Sequence, residues 1–295
     1  MSFPTHWDNP PPRRWLVLYH AVMDGASALA DDIVRYLARQ SGVAAEGGSF
    51  DDLELRARIA DQDMVVVLGG DGSMLRAGRL AARHPVPVLG VNLGRLGFLA
   101  EVQRPEWPDV LARVLSGDYW VEERIMLRVQ HWRGDQCLDA HEVLNEVVIG
   151  RGGLARPVRL KTIIDGGELT TYIADGLIIA TPTGSTAYAL ASGGPILPPE
   201  LKNILLIAIA PHLSMERAIV LAQGAIVDVI PYSAQRHQAI MSPDGQMEEV
   251  LLDGDRVSVC MSESVARFVR VRPRTYFYAS LMARMANNPA ANRND

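Results

Sequence analysis

Between residues 13 and 116, short continuous apolar runs alternate with stretches whose apolar positions recur every three or four residues. Trp15–Tyr19, Met64–Leu68 and Pro87–Val91 are of the first kind. Their unbroken apolar character, β-branched in MVVVL, predicts strands, the latter two buried on both faces. Ala26–Gln40 is of the second kind, with Leu29, Ile33 and Leu37 along one face and Gly42 just past its end, and predicts a helix. Ser73–Arg83 predicts another, and Pro105–Ser116 a third that turns Trp107, Val110, Leu111 and Val114 inward. Strand and helix in alternation imply an α/β domain over residues 13–116, a parallel sheet with helices on its faces.

After Gly117 the pattern shortens. Strands are expected at 119–131, 137–149, 156–164, 168–173, 177–181, 204–210, 217–221, 226–230, 247–252 and 255–260. The pairs Asp165-Gly166, Asp244-Gly245 and Asp253-Gly254 read as turns between them. One helix is expected at Ser185–Ala191. The picture is a β-rich domain over 117–275, then a C-terminal helix near Phe277–Met285 and a frayed tail within 276–295.

Composition narrows the class of protein. In 295 residues, 48% are hydrophobic and 21% charged, enough apolar material for a sizeable core. A net charge of −5 argues against a general affinity for nucleic acid or an acidic membrane, though not against a local basic patch around phosphates. Two cysteines, Cys137 and Cys260, make neither a disulfide framework nor a four-ligand zinc cluster, so a reducing cytoplasm is expected. The N-terminus has no apolar signal region, and the longest apolar run, Ile204–Ala210, is far short of a membrane span. The seven histidines show no HxxxH or HExxH spacing, so no structural metal site is expected.

Four motifs carry candidate chemistry. Gly69-Gly70-Asp71-Gly72-Ser73 lies directly after the MVVVL strand and before a helix. Glycines there let backbone N–H groups approach phosphate oxygens at a helix N-terminus. The loop has no Walker lysine, and Leu75 stands where a dinucleotide fingerprint wants its third glycine. Asp71 would be placed to take a proton from an attacking hydroxyl in phosphoryl transfer. The plainer alternative is an ordinary turn, since the chain has six Asp-Gly pairs. Asn92-Leu93-Gly94-Arg95-Leu96-Gly97-Phe98-Leu99 follows the next strand, at the same carboxyl edge where α/β proteins bind ligands. Phe98 is a candidate to pack on a base or sugar, or else a core aromatic. Asn145-Glu146 offers donors and acceptors for an adenine edge, or else is a solvated pair on a strand. Asp175 opens the run DGLIIATPTGSTAY, which ends at Tyr188 and is followed by Gly193-Gly194-Pro195. That run is a place for polar ligand groups, or else a capped helix after a strand.

Together these segments resemble the NAD kinase family. The resemblance rests on GGDGSMLRAGR, NLGRLGFL, LNEVVI, DGLIIATPTGSTAY, GGPI and PHLS, in the family's order, and covers roughly residues 15–260. It implies a Rossmann-like α/β N-terminal domain and a sandwich-like β-rich C-terminal domain. It implies an enzyme that phosphorylates the adenosine-ribose 2′-hydroxyl of NAD with ATP, or another triphosphate or polyphosphate, aided by a divalent ion such as Mg²⁺. Asp71 would be the catalytic base, with Gly70 and Gly72 near phosphates and Leu96 and Phe98 lining the adenosine site. Asn145 and Glu146 would hold adenine or ribose groups, and Asp175 the nicotinamide end, often from a neighbouring subunit. Thr186, Ala187 and Tyr188 would line the pocket. A homodimer or homotetramer is also implied, with neither nucleic acid nor membrane as partner. Ala191 and Arg95 depart from the family pattern, Ser73 keeps the hydroxyl of its usual threonine, and nothing is carried over beyond about residue 260. A diacylglycerol-type lipid kinase and a non-catalytic NAD(P) sensor are the competing readings.

Overall fold

The computed structural model describes residues 9–94, 97–152, 156–212, 217–232 and 239–286, and the chain forms two compact units. Residues 1–123 and 267–295 make the first, and 124–266 the second.

The first unit contains β1 (Arg14–Tyr19), α1 (Ala26–Ala38), β2 (Ala44–Ser49), α2 (Leu53–Ala57), β3 (Met64–Gly69), α3 (Asp71–Ala82), β4 (Val88–Asn92), β5 (Val102–Gln103) and α4 (Trp107–Leu115). Its sheet runs β2-β1-β3-β4, every neighbouring pair parallel. Strands β3 and β4 are buried along their whole length, as their unbroken apolar runs require. Leu89 and Val91 pack in one cluster with Leu29, Ile33 and Leu37 of α1 and Val110, Leu111 and Val114 of α4. Gly90 between them faces the other side, where a Cβ would lie 2.5 Å from Sδ of Met74 on α3. Helices therefore cover both faces.

The strand β2, AAEGGS, is absent from the apolar pattern. It forms because β1 offers a parallel partner over six residue pairs. Its glycines admit the helices: a Cβ on Gly47 would stand 3.0 Å from Val34, and one on Gly48 2.7 Å from Leu55.

The second unit is a sandwich. It holds β6 (Trp120–Arg133), whose first residues belong to the first unit, then β7 (Gln136–Val143), β8 (Glu146–Arg151), β9 (Val158–Ile164), β10 (Gly167–Ala174) and β11 (Gly176–Ala180). A short helix α5 (Tyr188–Ala191) precedes β12 (Ile204–Ile209), β13 (Ile219–Leu221), β14 (Val227–Tyr232), β15 (Ala239–Pro243), β16 (Glu249–Leu251) and β17 (Arg256–Arg270). One layer joins β10, β9, β14, β17, β6 and β7, and the other runs β13-β12-β11-β8-β15-β16. The core lies between the layers, where Leu127, Leu160, Tyr172, Val229 and Val259 meet Val147, Ile149, Leu177, Leu206 and Met241. Ile178, Leu205 and Ile207 face away from that core and pack under Ala189 and Leu197. Burial on both faces explains why GLIIA and ILLIAI are continuous apolar runs in an antiparallel sheet.

Two expectations change here. The predicted strand 137–149 is two strands, broken at Leu144-Asn145, because the chain leaves one layer and enters the other there. The final strand does not stop at residue 260 but continues as β17 to Arg270; its residues from Arg267 on belong to the first unit, in whose sheet Phe268 pairs with Val88. A last helix, α6 (Tyr276–Ala286), follows. Among the described residues, no helix is long and apolar enough to cross a membrane.

Candidate active site

Gly69 at the end of β3 lies opposite Asn92 at the end of β4, so the loops that follow leave the same edge of the sheet. Gly70 caps α3 in extended geometry, and its carbonyl accepts the N–H groups of Ser73 and Met74 at 3.0 and 3.1 Å. Asp71 is the first residue of the helix. Its Oδ2 accepts the N–H of Phe98 at 2.7 Å, and its Oδ1 that of Leu99 at 3.1 Å. The second glycine loop thus closes on Asp71, and a Cβ on Gly97 would collide with its carboxylate. A carboxylate has about four lone-pair sites, so its bonds to the described residues leave about two of them. Phe98 is half-buried and contributes its backbone, while Leu96 lies outside the described residues.

The glycines of this motif divide into two kinds. Gly69 is needed by the fold, since a Cβ there would collide with Ser73. Gly70 and Gly72 have open space where a Cβ would be, and neither has positive φ. Neither packing nor backbone conformation calls for glycine at these two positions. What their missing side chains leave is access to backbone N–H groups at the start of α3.

Behind the loop sits a buried ion pair. Arg270, at the end of β17, donates from Nε to Glu122 at 2.8 Å and from Nη1 to the Leu99 carbonyl at 2.6 Å. Both side chains are about 93% buried. Burial opposes the guanidinium's charge, but Glu122, Glu101 and Asp71 outweigh it and raise its pKa. Glu101 in turn accepts the N–H groups of Val271 and Arg272.

In the second unit, Asn145-Glu146 occupies the corner where the chain changes layers. The N–H groups exposed by that break are met by one carboxylate: Asp244 accepts from Leu144 at 3.0 Å, Asn145 at 2.8 Å and Glu146 at 3.2 Å. The segment TPTGST holds the corner from the other side. Thr181 donates its hydroxyl to the Leu144 carbonyl at 2.6 Å and its N–H to the Asn145 carbonyl at 2.8 Å. Gly184 packs so close that a Cβ would collide with the Asn145 carbonyl. The remaining hydroxyls are also engaged: Thr183 accepts from the distant Arg124, while Ser185 donates to the Pro182 carbonyl and Thr186 to the Thr183 carbonyl at 3.0 Å. This unusual segment is thus largely a brace for Asn145-Glu146.

Glu146 is 8% exposed, and among the described residues its Oε2 has no hydrogen-bond partner. Burial, and after it the Asp244 carboxylate, push its pKa up to about 8. The folded chain then keeps a proton that the unfolded chain gives up above its ordinary 4.5. The resulting stabilisation is complete below that value and is lost as pH rises through about 8. In Glu146→Gln, which cannot ionise, the melting temperature should rise relative to wild type as pH climbs through this window. A difference independent of pH would mean that Glu146 is ionised throughout.

Asp175 and Tyr188 meet in a cleft of about 300 Å³, with Val148, Arg151 and Ile209 in its wall. Arg151 Nε lies 3.2 Å from Asp175 Oδ1. Tyr188 is 44% exposed, so it is no core aromatic. Ala187 joins the preceding short 3-10 turn to α5.

Sequence reading missed Asp244, Arg270 and Glu122. Asp244 was one turn aspartate among six Asp-Gly pairs, and its positive φ of 47° fits such a turn. Its partners lie about 100 residues earlier, beyond any local signal. Arg270 lies past the last recognisable segment.

Comparison with known proteins bears on the family. The family described as the ATP-NAD kinase N-terminal domain matches residues 33–119, and the ATP-NAD kinase C-terminal domain matches 144–271. The NAD kinase of Chloroflexus aurantiacus is 42% identical over 272 residues, 92% of this chain and 98% of its own length. The NAD kinase of Citrifermentans bemidjiense is 40% identical, covering 85% and 91%. Among solved structures, an NAD kinase from Archaeoglobus fulgidus in complex with ATP matches with TM-score 0.73 and 28% identity, over 92% of this chain and 98% of its own. Yeast NADH kinase complexed with NADH shares the fold, with TM-score 0.80 at 22% identity over 97% and 91%. The lipid-kinase and sensor readings find no support in these relatives. With both of its domains matched and its curated relatives aligned nearly end to end, the chain belongs to the NAD kinase family, enzymes that phosphorylate NAD.

Proposed function

We propose that Asp71 is the base of NAD phosphorylation in this chain. Its carboxylate takes the proton of the adenosine-ribose 2′-hydroxyl as that oxygen attacks the γ-phosphorus of ATP, giving NADP and ADP. The observation that carries the reading is a carboxylate at the start of a helix, flanked by two glycines whose open Cβ positions expose backbone N–H groups. Those N–H groups, at Gly70 and Gly72, bind phosphate oxygens. Phe98 and Leu96 line the adenosine site.

In the second unit, Asn145 and Glu146 bind the adenine or ribose edge. A protonated Glu146 carboxyl can donate a hydrogen bond as well as accept one, which suits a ligand hydroxyl or ring nitrogen. Asp175, Thr186, Ala187 and Tyr188 border the remainder of the dinucleotide. The ATP complex of the Archaeoglobus relative supports ATP as donor. Asp71 keeps two lone-pair sites after its backbone contacts, which suits a hydrogen bond to water on a metal-bound triphosphate. Bound Mg²⁺ would neutralise charge on the transferring phosphates. Homodimer or homotetramer assembly is consistent with the exposed apolar side chains Val220, Val250 and Leu252 on or next to the short strands β13 and β16. A cytoplasmic enzyme fits the chain's two cysteines, and the absence of a nucleic-acid or membrane partner fits the net charge of −5.

The test is NADP formation by purified protein with NAD, ATP and Mg²⁺, read by an NADP-specific dehydrogenase. Metal-dependent NADP production is expected. Protein that binds NAD yet forms no NADP with any triphosphate or polyphosphate would overturn the reading.

A further inference from the structure

Away from the residues above, the second unit gathers histidines and carboxylates that its sequence spacing conceals. In the β6–β7 pair, His131 stands opposite Asp139 and Val129 opposite His141. Because side chains alternate, His131, Asp139 and His141 share one face. Glu249, on β16 of the other layer, reaches the same point. Its Oε1 contacts His141 Nε2, and its Oε2 lies 3.5 Å from His131 Nδ1. Asp139 Oδ2 lies 3.7 Å from His141 Nε2. One ligand atom from each of Asp139, His141 and Glu249 falls within 4.8 Å of the others.

We propose that Asp139, His141 and Glu249 bind one divalent transition-metal ion of the zinc class, tying the edge strand β7 of one layer to the edge strand β16 of the other. The chemistry follows from the donors. An imidazole nitrogen with two carboxylate oxygens suits zinc and its neighbours, whereas magnesium prefers oxygen alone. Zinc–ligand bonds of about 2.0–2.2 Å in a tetrahedron place donor atoms about 3.3 Å apart, a spacing that small side-chain shifts reach from the separations here. Three protein donors leave a fourth position for water. Support around the ligands is present as well. His131 is 5% exposed and held by Asp255, which Arg133 grips through two hydrogen bonds. With its other nitrogen bonded to Asp255, His131 presents Nδ1 to Glu249 and can orient that carboxylate. The ligands come from two strands separated by about a hundred residues, which is why motif spacing gave no sign of them.

The experiment uses the full chain, treated with a chelator and dialysed, without nucleotide. Zinc binding is measured by calorimetry, thermal unfolding is followed with and without zinc, and cobalt is added as a spectroscopic substitute. One zinc per chain is expected. The melting temperature should rise by about 5 °C at a hundredfold excess over the dissociation constant, and the visible cobalt spectrum should be that of a four-coordinate site. Magnesium should produce none of these. His141→Gln and Glu249→Gln should each weaken zinc binding by about tenfold or more and abolish the cobalt spectrum. If either variant fails to fold, Asp139→Asn, at an exposed side chain, gives the same reading. Absence of zinc binding would overturn the proposal, as would binding of undiminished affinity in these variants.

Discussion

Asp71→Asn should lower kcat by about 10²- to 10⁴-fold while leaving the affinity for NAD close to wild type. The amide has nearly the shape of the carboxylate but does not accept a proton near neutral pH. The structure adds a secondary cost. Both carboxylate oxygens accept backbone N–H groups, from Phe98 and Leu99, and the asparagine amide can satisfy only one of them. Facing the other N–H with an NH₂ group should cost about 1–3 kcal/mol. The variant should therefore melt somewhat earlier, and turnover is to be compared at a temperature where both proteins are folded. Calorimetric NAD binding separates the two effects. A kcat within tenfold of wild type, with NAD binding intact, would remove Asp71 from the base role.

The second large effect is expected at Arg270. Arg270→Met should destabilise the protein by about 3–5 kcal/mol, measured by urea unfolding. Glu122 would remain buried without its guanidinium, and the Leu99 carbonyl would lose its donor. Against a total stability of about 5–15 kcal/mol, that loss is severe. A double variant, Arg270→Met with Glu122→Leu, replaces both charges by apolar groups and should recover most of the stability. Turnover should not recover with it. Leu99 is held at its carbonyl by Arg270 and holds Asp71 through its N–H, so the double variant still loosens the loop around Asp71. A double variant as stable as wild type and fully active would show that the pair serves the fold alone.

What was legible in the sequence follows from how local each signal is. The buried strands of the first unit could be read because burial on both faces leaves an unbroken apolar run, as in MVVVL. Helix α1 could be read because its buried face repeats every three or four residues. The GGDG turn was legible because strand, glycines, acid and helix are consecutive. Where a strand depends on its partner instead of its own side chains, the signal fails. AAEGGS is a strand because β1 lies beside it, and its glycines serve the closeness of Val34 and Leu55.

The site divides along the same line. Sequence alone determined which residues are candidates for the chemistry: Asp71 with its glycines, Asn145-Glu146, and the Asp175–Tyr188 segment are contiguous, and their residue types suit the roles proposed for them. Tertiary structure decided how those groups are held. The break at Leu144-Asn145 exists because the chain changes layers, and Asp244 meets the N–H groups it frees from about 100 residues away. The 98–99 loop wraps Asp71 because Arg270, 171 residues later, anchors it. The raised pKa of Glu146 is likewise a property of burial and of a neighbour across the fold. A side chain's reactivity depends on what is packed against it, and packing between distant segments leaves no periodicity in the chain.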